Sequence, residues 1–497
     1  MENIRTLGAL RQSGYRYRSV KDELRENLVA RLRNKDRVFE GIIGFEDTVL
    51  PDVERAILSR HNMLLLGLRG QAKTRIARLL VHFLDEYIPV VEGSELHDDP
   101  LHPISKFARD LIAEKGDDTP IAWLHRSARY VEKLATPDVS VADLIGDVDP
   151  IKAATLKLPY SDERVIHFGL IPHAHRGIFV INELPDLQAR IQVSLFNILQ
   201  EGDIQIRGFK LRLPLDISFV FTANPEDYTN RGSIITPLKD RIESQILTHY
   251  PKSIDIARQI TKQEAHLAAA QQEVVQIPEL LEILLEQIVF EARQSAYVDA
   301  KSGVSARLSI SAYENLVSAA ERRALLNQES HTHARIADLW GVIPAITGKI
   351  ELVYEGEQEG SFQVAVHLLD QALKTVFLRY FPDPDKLRKG KDRDPYGVIR
   401  AWFSSGNQVD ILQDASNQAY QEALDGVAGL RKLATAYVAD DSPLLYTYME
   451  LLLHGLASGQ VLNKDILEYQ LRFRDPLAGM LGDEGEDDDD FDEEDFN

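Results

Sequence analysis

The chain has 497 residues, 44% of them apolar, which is core material for two or three domains rather than one. It contains no cysteine, which excludes disulfides, thiolate zinc sites and cysteine nucleophiles. A formal charge of −22 argues against a general binder of the nucleic-acid backbone, so a nucleic-acid partner is not expected.

Residues 1–38 read as a polar N-terminal helical extension in which Leu24, Leu28 and Leu32 recur at helical spacing. The opening MENIRTLGALRQSGYRYRSV has no basic-then-apolar signal pattern, and no apolar run approaches a bilayer span. A soluble, cytoplasmic protein with no membrane partner is therefore expected.

From residue 39 to 250, strand and helix patterns alternate. NMLLLGL is a buried strand, and TRIARLLVHFL after it sets Ile76, Leu79, Leu80 and Phe83 on one helix face. The charged stretch 92–135 is short of strand pattern and reads as an insertion. RGIFVINEL is a second buried strand, QARIQVSLFNILQEG a helix, and DIQIRGFKLRLPLDI a hairpin about Arg207-Gly208-Phe209. ISFVFTANPED is a third strand. This order predicts an α/β core, a mostly parallel sheet covered by helices, with ligands at the carboxyl ends of its strands.

Beyond Pro251 strand signals fade, and helical periodicity predominates through 251–352 and again through 353–480. PDPDKLRKGKDRDP interrupts it as an exposed linker. The region 481–497 reads as a disordered acidic tail, and its last fifteen residues, DEGEDDDDFDEEDFN, carry half of the net charge. It is either a solvating segment or a docking strip for a basic surface, with Phe491 and Phe496 as apolar anchors.

The chemistry concentrates at GLRGQAKT. Gly67, Leu68, Arg69, Gly70, Gln71, Ala72, Lys73 and Thr74 depart from the phosphate-binding pattern G-x-x-x-x-G-K-[ST] only at Ala72. In such a loop the backbone N–H groups face phosphate, Lys73 reaches the β and γ phosphates, and Thr74 ligates Mg²⁺, so ATP and Mg²⁺ are the expected cofactors. Ala72 keeps its N–H and is tolerable if its position takes the right-handed φ of a first helical turn. Phosphoryl transfer also needs a strand ending in acidic residues. Here Glu183 is the candidate to orient or activate water. It is preceded by Asn182 where Asp is expected, an amide that accepts a hydrogen bond from a metal-bound water but brings no charge. Weaker metal affinity and slow turnover follow as expectations.

Taken together, DLIGDVDPIKA (143–153), FGLIPHAHRGIFVINE (168–183), FTANPED (221–227) and PLKDRIE (237–243) resemble, in order, the motifs of AAA+ ATPases, and within them magnesium chelatase subunit I and the MoxR group. The likeness covers about residues 40–350. It implies an αβα nucleotide-binding core over 39–250, an all-α lid over 251–352 and an additional helical C-terminal region. It also implies that Asn224 is the sensor positioning hydrolytic water, Arg241 the arginine finger entering a neighbouring subunit's site, and Arg307 the second sensor, with Arg190 and Arg231 as substitutes. A guanidinium supplied by a neighbour requires a homo-oligomeric ring, most often a hexamer in this family. The hairpin residues Arg207, Phe209, Lys210 and Arg212 are either partner contacts or an exposed turn.

The histidine groups HDDPLHP and HAH lack the spacing of a known zinc site and are expected to be structural or solvated. Three functions stay open. One is a MoxR-type remodelling ATPase acting with a von Willebrand factor A partner to load metal or mature a client. The others are a tetrapyrrole magnesium or cobalt chelatase motor, and a nucleotide-gated scaffold with little hydrolysis. The long region after 353 favours the first. No GAFTGA-like loop or helix-turn-helix is found, which disfavours an enhancer-dependent transcription activator.

Overall fold

The computed structural model describes residues 4–159, 162–206, 212–225, 233–389, 394–438, 444–467 and 470–476. Arg207, Phe209, Lys210, Arg231 and the acidic tail lie outside them. Two compact units meet in sequence at Tyr250–Pro251.

The first unit is built on five parallel strands: β1 (Met63–Leu66), β2 (Tyr130–Leu134), β3 (Gly177–Asn182), β4 (Ile217–Ala223) and β5 (Ser244–Leu247), in the order β5-β1-β4-β3-β2. The inner strands β1, β3 and β4 are buried at every residue, as expected of parallel strands covered on both faces. The edge strands β2 and β5 mix half-buried and exposed positions, with Ile246 of β5 alone buried among them. Edge strands carry polar side chains that blunt pairing, which is why their sequences give little strand signal.

The stretch 92–135 is consequently not the simple insertion that its composition suggests. It holds a helix (Lys106–Lys115), a strand (Ile121–His125) antiparallel to Tyr87–Val91, and β2 itself. At the start of β3, a Cβ on Gly177 would lie 2.2 Å from the carbonyl oxygen of Arg129, so the close approach of the two chain segments there requires glycine.

Helices α1 (Leu7–Gln12) and α2 (Val20–Asn34) belong to the body of this unit. Val20, Leu24 and Leu28 share one apolar core with Val53, Leu65, Phe83 and Val180, while Leu32 is exposed. Buried polar groups fasten the same segment. Arg129 donates from Nη1 and Nη2 to Glu23 at 2.7 and 2.6 Å, and from Nε to the Arg176 carbonyl at 2.8 Å. Asp216 accepts from the Tyr17 hydroxyl at 3.0 Å and the Val20 N–H at 2.8 Å. Tyr15 donates to Asp99 at 2.7 Å.

After β1, helix α3 (Lys73–Leu79) continues as a 3-10 turn over Leu80–Phe83. The helical stretch after β3 is divided into Ala189–Ser194 and α4 (Phe196–Glu201). Strands Asp203–Gln205 and Arg212–Pro214 then pair antiparallel, forming the predicted hairpin.

The second unit is largely helical, with α5 (Glu279–Gln294), α6 (Ala306–Leu326), α7 (Ser361–Tyr380) and α8 (Leu445–Ser458) as its long members. One apolar core runs from Val275 to Phe473 and includes residues on both sides of 352. The region after 353 is not purely helical. Val409–Leu412, Gln470–Arg474 and Asn463–Leu467 form a three-stranded antiparallel sheet with Gln470–Arg474 in the middle. These strands are only four or five residues long, too short to show a period against their helical surroundings. Within the expected exposed linker, Pro384–Lys389 is helical.

Candidate nucleotide site

The loop Gly67–Thr74 leaves the carboxyl end of β1 between β5 and β4. Leu66 is in register with Ala223 of β4 and Leu247 of β5. The Gly67 N–H donates to the Ala223 carbonyl at 3.2 Å, so the buried Asn224 leaves the sheet directly beside the loop.

On the β5 side, Thr248 donates its N–H to the Leu66 carbonyl at 2.8 Å and its hydroxyl to Gln71 Oε1 at 2.7 Å. A Cβ at Gly67 would sit 1.9 Å from Thr248 Oγ1 and 2.2 Å from Gln71 Oε1, so only glycine fits there. The outer turn is tied by the Tyr250 hydroxyl, which donates to the Arg69 carbonyl at 3.0 Å. Lys73 is buried; its ammonium donates to the carbonyls of Gly67 and, at 2.9 Å, Leu68. Arg69 is exposed, and Leu68 and Gly70 are half-buried.

Ala72 differs from expectation. It stands at the N-cap of α3 with φ 53° and ψ 15°, the left-handed region, where the phosphate-loop pattern has glycine. The premise that this position takes a right-handed φ is therefore corrected: Ala72 carries backbone strain of about 1–2 kcal/mol. Glu183 has the same character at the end of β3, with φ 55° and ψ 50°. Strained non-glycine residues gather at functional sites, where surrounding contacts fix them.

Four polar side chains form one hydrogen-bonded group: Thr74 of α3, Glu132 in the middle of β2, Asn182 at the end of β3 and Thr222 near the end of β4. The Glu183 N–H donates to Thr222 Oγ1 at 3.1 Å, and the Thr222 hydroxyl donates to Asn182 Oδ1 at 3.1 Å. Thr74 Oγ1 lies 3.5 Å from the same Asn182 oxygen. The other end of the amide, Nδ2, donates to Glu132 Oε1 at 2.7 Å. Glu132 in turn accepts from Arg78 at 2.9 and 3.0 Å and from the Tyr130 hydroxyl at 3.1 Å. The Arg78 guanidinium, with smaller contributions from Tyr130 and Asn182, holds the Glu132 carboxyl below the usual carboxylate range.

Lys73, Thr74, Asn182, Glu183 and Asn224 are thus gathered at one end of the sheet. Thr222 and Glu132 are absent from the sequence reading. Thr222 directly precedes the AN pair in FTANPED, and Glu132 lies on the edge strand that the charged composition hides.

Arg241 is half-buried on its own chain. Its guanidinium covers the Phe196 ring at 4.7 Å and donates to Gln200 at 3.2 Å and the Pro237 carbonyl at 2.7 Å. Its contacts are with α4 and its own turn. Arg190 is exposed on the short helix after β3. Arg307 belongs to the second unit, exposed in the first turn of α6 with its N–H bonded to Ser305 Oγ at 3.1 Å. Arg212, two-thirds exposed, lies 3.3 Å from Asp203 across the hairpin.

His175 is buried and accepts the Asp216 N–H on Nδ1 at 3.0 Å; burial pushes its pKa down to about 3. Among the described residues, no group of three or more histidines and carboxylates is gathered to hold a metal ion. No helix among them is long and apolar enough to cross a membrane.

The donor set at the loop nevertheless suits Mg²⁺, a hard cation served by few protein oxygens plus phosphate and water. A threonine hydroxyl and an amide oxygen face each other there, without nitrogen or sulfur competitors among their bonds.

A parallel sheet ordered β5-β1-β4-β3-β2, with a glycine-containing loop and lysine leaving β1 and an asparagine-glutamate pair ending β3, is the arrangement that the resemblance to AAA+ nucleotide-binding cores implies. Residues 159–246 match the sigma-54 interaction domain family, and that segment contains β3 and β4 but no GAFTGA sequence. Over 241 residues the chain is 24% identical to the magnesium-chelatase 38 kDa subunit of Cereibacter sphaeroides, covering 46% of this chain and 64% of that subunit. A crystal structure of a candidate ATPase from Cytophaga hutchinsonii matches 70% of this chain and 95% of its own, with 17% identity and a TM-score of 0.29. The magnesium chelatase BchI–BchD complex matches 65% of this chain and 98% of the matched chain, with 20% identity and a TM-score of 0.32. Over these segments the chain is similar to a sigma-54 interaction domain and to a magnesium-chelatase subunit, of which it spans less than two thirds.

Proposed function

We propose that this protein binds MgATP at Gly67–Thr74 and hydrolyses it slowly in a head-to-tail ring, most simply a hexamer. The observation that carries this reading is the convergence of Lys73, Thr74, Asn182, Glu183 and Asn224 at the carboxyl ends of β1, β3 and β4. Bound Mg²⁺ would supply charge neutralisation on the phosphates. Lys73 would leave its loop carbonyls for phosphate oxygens, Thr74 would ligate the metal, and Asn182 would accept a hydrogen bond from a metal-bound water. Glu183 is the base that takes a proton from the attacking water, and Asn224 orients that water.

Asn182 brings no charge where this chemistry favours one, and slow turnover follows. Arg241 packs half-buried on Phe196 beside the exposed Gln200, and its guanidinium would leave these contacts to reach a neighbouring copy. Arg307 is proposed to act from the second unit as the second sensor. We assign the ring a remodelling or metal-loading role with a von Willebrand factor A partner. Similarity to a magnesium-chelatase subunit supports a tetrapyrrole chelatase motor as the runner-up.

The test is the mass of full-length Glu183→Gln in solution with and without MgATP. A ring that assembles with nucleotide, and fails to assemble when Lys73→Ala is added, is the expected result. A variant that stays monomeric and retains no ATP would overturn the proposal. The assembled ring then serves as bait, and recovery of a von Willebrand factor A protein or of a tetrapyrrole enzyme separates the two roles.

A further inference from the structure

We propose that Glu132 is a positioning residue for the magnesium site, an inference that rests on MgATP binding at Gly67–Thr74. From the neighbouring strand it fixes the Asn182 amide with its oxygen toward Thr74.

An asparagine amide has a donor end and an acceptor end, and its neighbours decide which faces a site. Here both ends are determined. The Glu132 carboxylate can only accept, so it draws Nδ2, at 2.7 Å. Thr222 receives the Glu183 N–H at 3.1 Å, so its own hydrogen goes to Asn182 Oδ1, at 3.1 Å. Oδ1 is therefore held toward Thr74 Oγ1, 3.5 Å away. Arg78 and Tyr130 keep Glu132 in place by donating to it at 2.9, 3.0 and 3.1 Å. Strand register makes the contact possible: Glu132 is in register with Val180 and Leu134 with Asn182, so the glutamate reaches diagonally across one strand spacing.

The same geometry explains why position 182 is an amide. An aspartate there would set a second carboxylate within hydrogen-bond distance of Glu132, where like charges repel. The two positions are thereby coupled: Asn182 suits Glu132, whereas an aspartate in its place would suit a neutral neighbour.

The experiment titrates Mg²⁺ into full-length protein holding a fluorescent ATP analogue, starting in EDTA, and follows unfolding temperature in parallel. Outer groups that orient metal ligands typically contribute 10- to 100-fold to metal affinity. Glu132→Gln should raise the half-saturating Mg²⁺ concentration about tenfold or more while leaving metal-free analogue binding unchanged. Asn182→Asp alone should fail to tighten Mg²⁺ binding, whereas Asn182→Asp with Glu132→Gln should restore it to the parent value or better. An unchanged Mg²⁺ titration in Glu132→Gln overturns the proposal, as does equal benefit from Asn182→Asp with and without Glu132. A parent protein that binds no analogue fails instead at the nucleotide-site reading, so the two failures are distinguishable.

Discussion

The buried pair Glu23–Arg129 makes the N-terminal helix a structural part of the nucleotide-binding unit, and Glu23→Ala tests this. Their side chains are 5% and 1% exposed, and both guanidinium Nη atoms are spent on the carboxylate. Removing the carboxylate leaves the guanidinium in the core with the Arg176 carbonyl, and takes away the acceptor of the Asp85 N–H at 2.6 Å. Breaking a buried pair from one side costs about 3–5 kcal/mol, because a charge is left without compensation. For a unit of this size each kcal/mol lowers the melting temperature by about 2–4 °C, so a fall of roughly 6–20 °C is expected. Calorimetry or urea unfolding of the full chain measures it. Methionine at both positions should recover most of the loss, since it removes both charges together. A Glu23→Ala protein within about 1 kcal/mol of the parent would refute the reasoning. The consequence extends to the site: Arg129 immediately precedes β2, the strand that carries Glu132.

Further predictions concern single positions. Ala72→Gly should stabilise the first unit by about 0.5–1 kcal/mol, the relief of a left-handed alanine less the extra chain entropy of glycine, while Ala72→Val should destabilise it; thermal unfolding distinguishes the two. Gly177→Ala should cost about 3 kcal/mol in a denaturant titration, since its Cβ would meet backbone rather than a mobile side chain. In the second unit, burial raises the Glu450 pKa to about 7, with Tyr420 and the Ile336 N–H donating to one of its oxygens. A folded carboxyl that holds its proton above its unfolded pKa contributes stability at low pH, lost progressively between about pH 4.5 and 7. Glu450→Gln keeps both acceptor contacts and abolishes that loss, so the variant should gain on the parent at pH 8 by an amount on the order of 3 kcal/mol in urea unfolding.

The inner sheet was legible because its strands are buried on both faces and appear as unbroken apolar runs: MLLL, GIFVIN and ISFVFTA. YVEKL and SQIL were not, because edge strands expose one side. Missing β2 concealed Glu132. The loop, Asn182 and Glu183 stood out through the residue pattern that phosphate chemistry asks for, and Asn224 through the resemblance to AAA+ motifs; the fold brings them to one end of the sheet. The conformation of Ala72 could not, since φ at a loop-to-helix junction is decided by tertiary packing as well as by the residue itself. The N-terminal helix looked like an appendage because its apolar stripe is narrow, yet buried charges complete its attachment.

Phosphate release by the assembled full-length protein, compared with Glu183→Gln at equal nucleotide occupancy, tests the ATPase assignment most directly. A base positioned on the attacking water contributes about 10²–10⁴ in rate. Glu183→Gln should therefore retain bound MgATP and release phosphate at least about a hundredfold more slowly. Equal release by both proteins, or no release by the parent ring despite full occupancy, would contradict a hydrolytic role for this site.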